Sequence, residues 1–510
     1  MKKLNSGIPF ETEKGNRYLC ARTWRQVLLC HPVLYHLAEM SNRGVDLEAW
    51  LHSLPESGIE IKDVGTFSKK EVRFYYKKHR FLERHGYVGQ FDFNRYFGLK
   101  LEPSQIQQAL ANVRHVIFEV TDACNLRCEY CGYGKFYKDY DKRRNIRLGL
   151  NSAKRLLSFL MQGWHSEMNT SIDCRIAIGF YGGEPLLNFP FIRKIVDHIK
   201  KCRFPRHKIT FVMTTNALLL ARYMDFLYEN QFELLISLDG NAENNAYRKF
   251  PNGQPAFEHI VRNVKALQSK YPDYFRKKVN FNAVFHNRSS LKEIYTFFKT
   301  HFDKIPTISE LNVSGIDPEQ QDAFWATYAN IDADFEAMGR PRPMVDDMFV
   351  DLPNINHLSK FIHRYTDSSF ADYNEVMATG HKPKRLPTGT CIPFLRKIFL
   401  TVNNKILPCE RIGQQYALGR IVNDRVEIDT EAIARIYNQY YQQVARRCRN
   451  CYVADSCPQC LLDLGVDEAK IHCYTFSDYE QRRTQFASQL DCLEAYPRLY
   501  NRIIKEVGYS

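Results

Sequence analysis

The chain has 510 residues, 44% hydrophobic and 25% charged, and this length predicts roughly two to four domains with ample core. Its start lacks the apolar run of a signal peptide, and no apolar stretch approaches the roughly 18 residues of a membrane span. We therefore expect a cytoplasmic protein without a membrane partner. The net charge of +14 attracts anions in general, but the basic residues are spread along the chain. We interpret short basic runs such as Lys142-Arg-Arg144 as solvated surface.

The first 110 residues are predicted to form a separate module. Residues 16–23 and 26–30 predict two short strands, and residues 33–40 predict a helix. Basic helical stretches follow over residues 69–85. Short strands followed by helices predict a small α+β domain of winged-helix shape.

Between residues 111 and 315, apolar strand-like runs alternate with amphipathic helical stretches. This alternation predicts an α/β fold of parallel βαβ units, in which ligands bind at the carboxyl ends of the strands. The predicted strands cover residues 114–120, 176–181, 208–214, 232–238, 279–286 and 308–314. The predicted helices cover residues 151–161, 191–201, 218–229, 256–269 and 291–300.

Three cysteines follow the first of these strands. Cys124, Cys128 and Cys131 have the spacing CxxxCxxC, and Tyr130 places an aromatic ring before the last of them. Three thiolates on one short loop can hold three corners of a cubic [4Fe–4S] cluster. Because the usual complement is four, one iron is left free to bind a substrate or cofactor. The alternative is a zinc site, although zinc usually draws four ligands in pairs.

Polar residues stand where the next predicted strands end. The segment Gly182-Gly-Glu184 ends an apolar run; its glycines allow a close approach of the backbone to a ligand, and its carboxylate can accept hydrogen bonds from an ammonium. Asn216 ends the following strand, and Ser237 and Asp239 lie at the end of the one after it. Each motif alone is typical of a turn. Their order after the cysteines predicts a shared site.

This set of motifs resembles the radical S-adenosylmethionine (SAM) superfamily, whose fold is a partial (β/α)6 barrel. The resemblance implies that the cysteine loop holds a [4Fe–4S] cluster whose open iron chelates the amino and carboxylate groups of SAM. Tyr130 would lie beside the adenine, and Arg248 would meet the methionine carboxylate. The implied SAM-binding residues are Tyr130, Gly182, Gly183, Glu184, Asn216, Ser237 and Arg248. Asp239 is the one candidate for a catalytic residue, with no acid or base role assigned.

The carboxyl-terminal region holds a second group of cysteines. Residues 448–460 have the spacing CxxCx5CxxC, and two such pairs by themselves predict a zinc ribbon. Further cysteines precede and follow this core. The whole group is Cys391, Cys409, Cys448, Cys451, Cys457, Cys460 and Cys473.

This layout resembles the SPASM domain, a seven-cysteine extension of radical SAM maturases that holds two auxiliary [4Fe–4S] clusters. The implied ligands are Cys391, Cys409 and Cys460 for the first auxiliary cluster and Cys448, Cys451, Cys457 and Cys473 for the second. Two features depart from the family pattern: Asn404 stands where glycine is usual, and the last pair is spaced CxxC instead of CxxxC. With three thiolates in view, the first cluster either recruits a remote cysteine such as Cys492 or keeps an open iron.

The amino-terminal module resembles, in position, size and element order, the precursor-recognition domain of many radical SAM peptide maturases. That domain binds a leader peptide as an added edge strand, a mode that depends on main-chain hydrogen bonds. The resemblance as a whole implies five parts. These are a precursor-recognition domain at 1–110, a radical SAM core at 111–315, a helical bridging segment at 316–388, a SPASM domain at 389–475 and a helical tail at 476–510.

The implied activity is that of a radical SAM oxidoreductase. It would cleave SAM reductively and use the 5′-deoxyadenosyl radical to crosslink or oxidise a ribosomally made (RiPP) precursor peptide or a protein. The implied partners are this substrate and a low-potential electron donor of the flavodoxin or ferredoxin type; we do not expect nucleic acid. Three alternatives stay open: a formylglycine-forming maturase of sulfatases, an enzyme that modifies RNA by radical chemistry, and a non-catalytic zinc scaffold.

Overall fold

The computed structural model describes residues 4–98, 100–170, 174–204, 207–339, 342–365, 386–464, 471 and 473–507. Residues 366–385 of the predicted bridging segment lie outside the described residues. The strands are β1 Gly7–Glu11, β2 Arg17–Ala21, β3 Gln26–Leu29, β4 Ile59–Ile61, β5 Gly65–Phe67, β6 His115–Thr121, β7 Cys174–Gly182, β8 His207–Thr215, β9 Glu233–Ser237, β10 Val279–Phe285, β11 Thr307–Glu310, β12 Ile398–Leu400, β13 Lys405–Leu407, β14 Gly419–Val422 and β15 Arg425–Ile428.

The α-helices of the described residues follow in the same numbering along the chain. They are α1 Pro32–Asn42, α2 Leu47–Ser53, α3 Lys69–Arg84, α4 Phe93–Tyr96, α5 Pro103–Ala111, α6 Leu150–Trp164, α7 Phe189–Lys201, α8 Leu220–Glu229, α9 Phe257–Lys270, α10 Pro272–Lys278, α11 Leu291–Phe302, α12 Gln321–Thr327, α13 Ile331–Ala337, α14 Arg342–Asp347, α15 Pro353–Tyr365, α16 Thr430–Cys448, α17 Tyr479–Ala495 and α18 Arg498–Glu506. Within the described residues, none of these helices has the length and apolar character needed to cross a bilayer.

The chain divides into two compact units. The first contains Met1–Lys100, Phe349–Thr390 and Asn438–Ser510, and the second contains Leu101–Met348 and Cys391–Tyr437. The first unit thus joins the amino-terminal module to the last cysteines, and the second joins the strand–helix core to the start of the cysteine-rich region. The five domain boundaries inferred from the sequence stay predictions.

A ten-stranded mixed sheet forms the centre of the second unit. Strands β6 to β11 are parallel neighbours in reverse chain order, with helices between them, as the alternating pattern predicts. Strand β12 pairs in parallel with β6, and β13 to β15 continue the sheet antiparallel. Since the carboxyl ends of parallel strands meet at one edge of a sheet, this order brings the predicted strand-end motifs together.

Apolar spacing explains why these segments pack as they do. On β7, Ile176, Ile178 and Phe180 alternate along the strand and are buried. On α7 the buried side chains Ile192, Ile195, Val196 and Ile199 recur at i, i+3, i+4 and i+7, which makes one apolar stripe along the helix.

The predicted strand at 308–314 is shorter in the structure than expected and ends at Glu310. The chain turns after this strand. The Ser314 amide donates to the Asn312 side chain over 3.0 Å, and Gly315 has a positive φ of 68°. Asparagine is typical of turns because its side chain accepts a hydrogen bond from a nearby backbone amide, and glycine because it adopts a positive φ without strain.

The amino-terminal part of the first unit contains a three-stranded antiparallel sheet in the order β1-β2-β3. The predicted strands at 16–23 and 26–30 correspond to β2 and β3, whereas β1 was missed. Its sequence contains Gly7 and Pro9, which are depleted in strands, and Pro is tolerated because β1 lies at the edge of this sheet. Helix α3 begins with a capping box between Ser68 and Glu71.

The amino-terminal module is bonded to the carboxyl-terminal segment of the same unit. The Tyr18 hydroxyl donates to Glu494 over 2.7 Å, and the Asn5 amide donates to the Tyr452 hydroxyl over 3.1 Å. These contacts join residues from the two ends of the chain. The module is therefore part of a larger packed unit, which the sequence pattern did not indicate.

Candidate functional site

The predicted cluster loop lies between β6 and α6 in the second unit. Backbone hydrogen bonds shape it: the Arg127 amide donates to the Lys249 carbonyl over 2.8 Å, and the Gly134 amide donates to the Cys131 carbonyl over 2.7 Å. Burial raises the pKa of Cys128 to about 12, and the neighbouring thiols of Cys131 and Cys124 contribute to the rise. The thiols of Cys124 and Cys131 therefore lie close enough to Cys128 to influence its charge.

The described residues contain no group of three or more His, Cys, Asp or Glu side chains arranged around a single metal ion. A cubic cluster needs a different arrangement, because each thiolate binds its own iron atom at a separate corner. The use of the three loop thiols as ligands of one cluster stays a prediction.

The end of β7 lies directly against the cysteine loop. The Gly183 amide donates to the Thr121 carbonyl and the Glu184 amide to the Ala123 carbonyl, each over 2.8 Å. A Cβ on Gly183 would lie 2.1 Å from the Ala123 oxygen, and one on Gly182, whose φ is +127°, would lie 2.3 Å from the Thr121 oxygen. Only glycine permits this approach, which accounts for the paired glycines of the motif.

Glu184 connects the ends of β7 and β8. It is fully buried, and its carboxylate accepts hydrogen bonds from the Thr215 hydroxyl (2.8 Å), the Asn216 amide (2.8 Å) and the Leu186 amide (3.1 Å). Burial raises the pKa of this carboxyl to about 7, although the three donors lower it. Within the fold, Glu184 thus joins the ends of β7 and β8 through these hydrogen bonds. Its contact with the SAM ammonium stays a prediction.

Asn216 meets the cysteine loop from the end of β8. Its side-chain nitrogen donates to the side-chain oxygen Oδ1 of Asn125 over 2.8 Å and lies 3.7 Å from the Cys124 sulfur. Ser237 is the last residue of β9, at the same edge of the sheet. Asn216 therefore contacts the loop, and Ser237 shares its edge of the sheet.

Asp239 is the centre of a buried polar cluster beside the same loop. Its carboxylate accepts hydrogen bonds from Arg248 Nε (3.0 Å) and Nη2 (2.9 Å), from the Val284 amide (2.9 Å) and from the Tyr130 hydroxyl. The remaining Arg248 nitrogen, Nη1, lies 4.0 Å from the Cys128 sulfur. Asp239 is fully buried, and its contacts suit it to position Arg248 and Tyr130. The structure gives no evidence that Asp239 acts as a catalytic acid or base.

Two functional features at this edge were missed by sequence reasoning. The Arg143 Nη2 donates to the Cys131 sulfur over 3.3 Å, so the interpretation of the basic run Lys142–Arg144 as solvated surface was wrong for Arg143. Glu119 lies in β6, is 1% exposed and accepts a hydrogen bond from the Tyr133 hydroxyl. The sequence does single out Glu119, because it is a carboxylate within the otherwise mostly apolar strand His115-Val-Ile-Phe-Glu-Val-Thr121. Charged residues are seldom fully buried without a partner.

Four cysteines of the first unit converge on one small cavity. Burial, together with the nearby thiols, raises the pKa of the Cys448 thiol to about 12. Thr475 adds a hydroxyl 3.5 Å from the Cys473 sulfur and 3.9 Å from the Cys457 sulfur. The cysteines lining the cavity are Cys448, Cys451, Cys457 and Cys473. These are the four residues that the family resemblance assigns to the second auxiliary cluster.

The ligand set of the first auxiliary cluster stays a prediction. Cys391 is exposed and Cys409 half-buried in the second unit, whereas Cys460 belongs to the first unit. Between the first two, Asn404 has a left-handed backbone with φ +60°, which is the conformation that asparagine tolerates in place of glycine. Cys492 lies in α17 of the first unit.

The CxxxCxxC loop and the strand-end residues lie in a segment that matches a known protein family. Residues 118–299, about a third of the chain, match the Radical SAM superfamily, for which SAM and iron–sulfur binding are expected. This segment holds the cysteine loop and all the predicted SAM-binding residues.

Three known proteins illustrate the likeness. The cysteine-type anaerobic sulfatase-maturating enzyme of Clostridium novyi is 32% identical over 180 residues, 34% of this chain and 45% of that protein. The serine-type enzyme of Bacteroides thetaiotaomicron is 23% identical over 354 residues, 66% of this chain and 78% of that protein. The solved structure of native anSMEcpe with bound AdoMet is 18% identical, with a TM-score of 0.43 and coverage of 76% of this chain and 98% of that chain.

Proposed function

We propose that this protein is a radical SAM enzyme that modifies a ribosomally made peptide or a protein. The observation that carries the proposal is the close packing of the glycine pair Gly182–Gly183 against the backbone of Thr121 and Ala123, which lead directly into the CxxxCxxC loop; only glycine allows this approach. When bound, a [4Fe–4S] cluster with SAM supplies the reductive cleavage of SAM to methionine and a 5′-deoxyadenosyl radical, chemistry beyond amino-acid side chains.

The residues of the second unit would bind and orient SAM. The glycine pair holds the end of β7 against the start of the cysteine loop, and Asn216 and Ser237 supply polar groups at neighbouring strand ends. The pair Asp239–Arg248 holds a guanidinium 4.0 Å from the Cys128 sulfur, where it is suited to meet a carboxylate. Because Asp239 binds two of its nitrogens, this guanidinium is preorganised before the ligand arrives.

The four-cysteine cavity of the first unit supports an auxiliary cluster, and with it net oxidation of the substrate. An auxiliary cluster can accept the electron left after a hydrogen atom is removed, as a crosslinking or oxidising reaction requires. The amino-terminal sheet, whose strand β3 forms one edge, supports capture of a peptide by strand addition. We infer a low-potential flavodoxin or ferredoxin as the source of the first electron.

The sulfatase maturase activity is the second candidate, because relatives of that description match parts of the chain. The two candidates differ in what they need from residues 1–100. A leader-dependent maturase requires the edge of that module, whereas a formylglycine-forming enzyme acts on a short sulfatase peptide alone. Incubation with a cysteine- or serine-containing sulfatase peptide, followed by mass spectrometry for formylglycine, separates them.

The test of the proposed function is release of 5′-deoxyadenosine from SAM by anaerobically reconstituted, reduced protein. Cys128→Ala removes one ligand of the proposed cluster, and Cys202→Ala is the matched control, since Cys202 lies at the carboxyl end of α7. We expect release by the wild type and by Cys202→Ala but not by Cys128→Ala. Protein that takes up zinc and no iron would contradict the proposal.

A further inference from the structure

The guanidinium of Arg143 lies against one sulfur of the cysteine loop. Its Nη2 donates a hydrogen bond to the Cys131 Sγ over 3.3 Å. Arg143 comes from the stretch between the loop and α6, outside the CxxxCxxC motif itself. Because a guanidinium stays protonated in proteins, this contact places a permanent positive charge and an N–H donor beside one of the three thiols.

A chain of contacts behind Arg143 fixes its position. The guanidinium carbon lies 4.9 Å from the centre of the Tyr133 ring, within the range of a cation–π interaction. The Tyr133 hydroxyl donates to Glu119, which also accepts a hydrogen bond from the Val402 amide over 2.8 Å. The buried carboxylate thus anchors the ring, and the ring supports the guanidinium against Cys131.

The charge of Arg143 is not neutralised by a carboxylate of its own. Within the described part of the chain Arg143 forms no ion pair, and its Nε is buried without a hydrogen-bond partner. Its neighbour Arg144 differs, because the Arg144 Nη2 donates to the Asn403 side chain and Arg144 is exposed. A half-buried cation acts more strongly on nearby charge than an exposed one, because less water screens it.

We propose that Arg143 raises the reduction potential of the iron–sulfur cluster that Cys124, Cys128 and Cys131 would hold; this inference rests on the proposed function. Reduction moves one electron from the donor to the cluster, and the added negative charge is stabilised by a hydrogen bond to a ligand sulfur and by a nearby cation. Arg143 acts through Cys131 and is therefore a positioning residue. Its effect is on how easily the cluster accepts the electron that starts the reaction.

The test is a redox titration of the reconstituted full-length protein with dithionite, monitored by EPR. The signal to follow is the one that changes when SAM is added, because the cluster proposed at the cysteine loop is the one that binds SAM. Arg143→Gln removes the charge, and Arg144→Gln is the matched control one residue along the chain. We expect Arg143→Gln to lower the equilibrium constant for one-electron reduction about tenfold, equivalent to ~59 mV, and Arg144→Gln to leave it unchanged.

Two further variants keep the test decisive if Arg143→Gln fails to fold or to assemble a cluster. Arg143→Lys keeps the positive charge but lacks the planar guanidinium and its fixed set of N–H donors. We expect its reduction potential to lie between those of the wild type and Arg143→Gln. Tyr133→Leu removes the ring beneath the guanidinium, and we expect a shift in the same direction as Arg143→Gln. A wild-type potential in Arg143→Gln or in Tyr133→Leu, or an equal shift in Arg144→Gln, would overturn the inference. A wild-type chain that assembles no iron–sulfur cluster would contradict the proposed function instead.

Discussion

Arg22 and Asp455 form a buried ion pair that joins the first sheet to the cysteine-rich segment of the same unit. The Arg22 Nη2 lies 3.7 Å from the Asp455 Oδ1, and both side chains are 1% exposed. Arg22 directly follows β2, and Asp455 lies between Cys451 and Cys457. The amino-terminal module therefore contributes directly to the setting of the loop that carries two proposed cluster ligands.

Replacing Arg22 by Met should destabilise the protein by about 3 kcal/mol, since it removes the cation whose charge opposes the buried Asp455 carboxylate most strongly. We take the lower end of the usual range because the Tyr365 hydroxyl still donates to Asp455 over 2.9 Å. The free energy of unfolding, from urea titration of the variant and wild type, measures the loss. Arg17→Met is the control, because the pair Arg17–Glu11 is partly exposed and should contribute less than ~1 kcal/mol. Equal losses in both variants would refute the special role of Arg22.

Replacing Gly183 by Ala should displace the cysteine loop, because the new Cβ would lie 2.1 Å from the Ala123 oxygen. We expect a protein that folds but retains much less iron after reconstitution than the wild type. Iron content and the visible absorption of the cluster are the measurements. Gly149→Ala is the matched control, since its Cβ would have no neighbour closer than 3.6 Å. Full iron content in Gly183→Ala would show that the close approach is dispensable.

Replacing Glu184 by Gln should cost about 1–3 kcal/mol of stability, because the amide nitrogen cannot accept the hydrogen bonds that one carboxylate oxygen accepts now. Thr215→Val removes a single donor to that carboxylate, and we expect a smaller loss. The free energies of unfolding of the two variants and of the double variant give the coupling between the residues. Purely additive losses would indicate that Glu184 and Thr215 do not act together.

Replacing Cys457 by Ala should remove iron from the first unit while leaving the cysteine loop loaded. Cys457 lines the cavity with three other cysteines, so we expect an iron content lower by up to about four atoms per chain, the content of one [4Fe–4S] cluster. Cys20→Ala is the control, because Cys20 is a fully buried core residue. An unchanged iron content in Cys457→Ala would remove the support for an auxiliary cluster at this cavity.

Sequence reasoning predicted the parts of the fold that repeat a simple pattern. The parallel strands β6 to β11 alternate with amphipathic helices, so periodicity located them to within a few residues. Strand β1 was missed because Gly7 and Pro9 interrupt the usual strand composition. The strand-end motifs were found because they lie within recognisable runs, and the parallel order then places them at one edge.

The contacts of the site could not be predicted in the same way. The Arg143 guanidinium is held against Cys131 by the Tyr133 ring, which is bonded to Glu119, and a basic run alone does not indicate which side chain turns inward. The pairing of Arg22 with Asp455 joins distant parts of the chain and leaves no local signal.

The surroundings of Asp239 also depend on contacts between distant segments. Its position after a strand predicted a place in the site but no defined role. The structure places its carboxylate between Arg248 and Tyr130. Because Tyr130 comes from the cysteine loop, this arrangement exists only once the loop has folded against the end of β9.

Release of 5′-deoxyadenosine is the measurement that tests the central claim most directly. Anaerobically reconstituted protein is reduced with dithionite, supplied with SAM and assayed with and without candidate peptides. We predict release by the wild type and by Cys202→Ala, and none by Cys128→Ala. Iron-loaded wild-type protein that releases no more 5′-deoxyadenosine than Cys128→Ala, with every candidate peptide, would contradict the assignment of radical SAM chemistry to this chain.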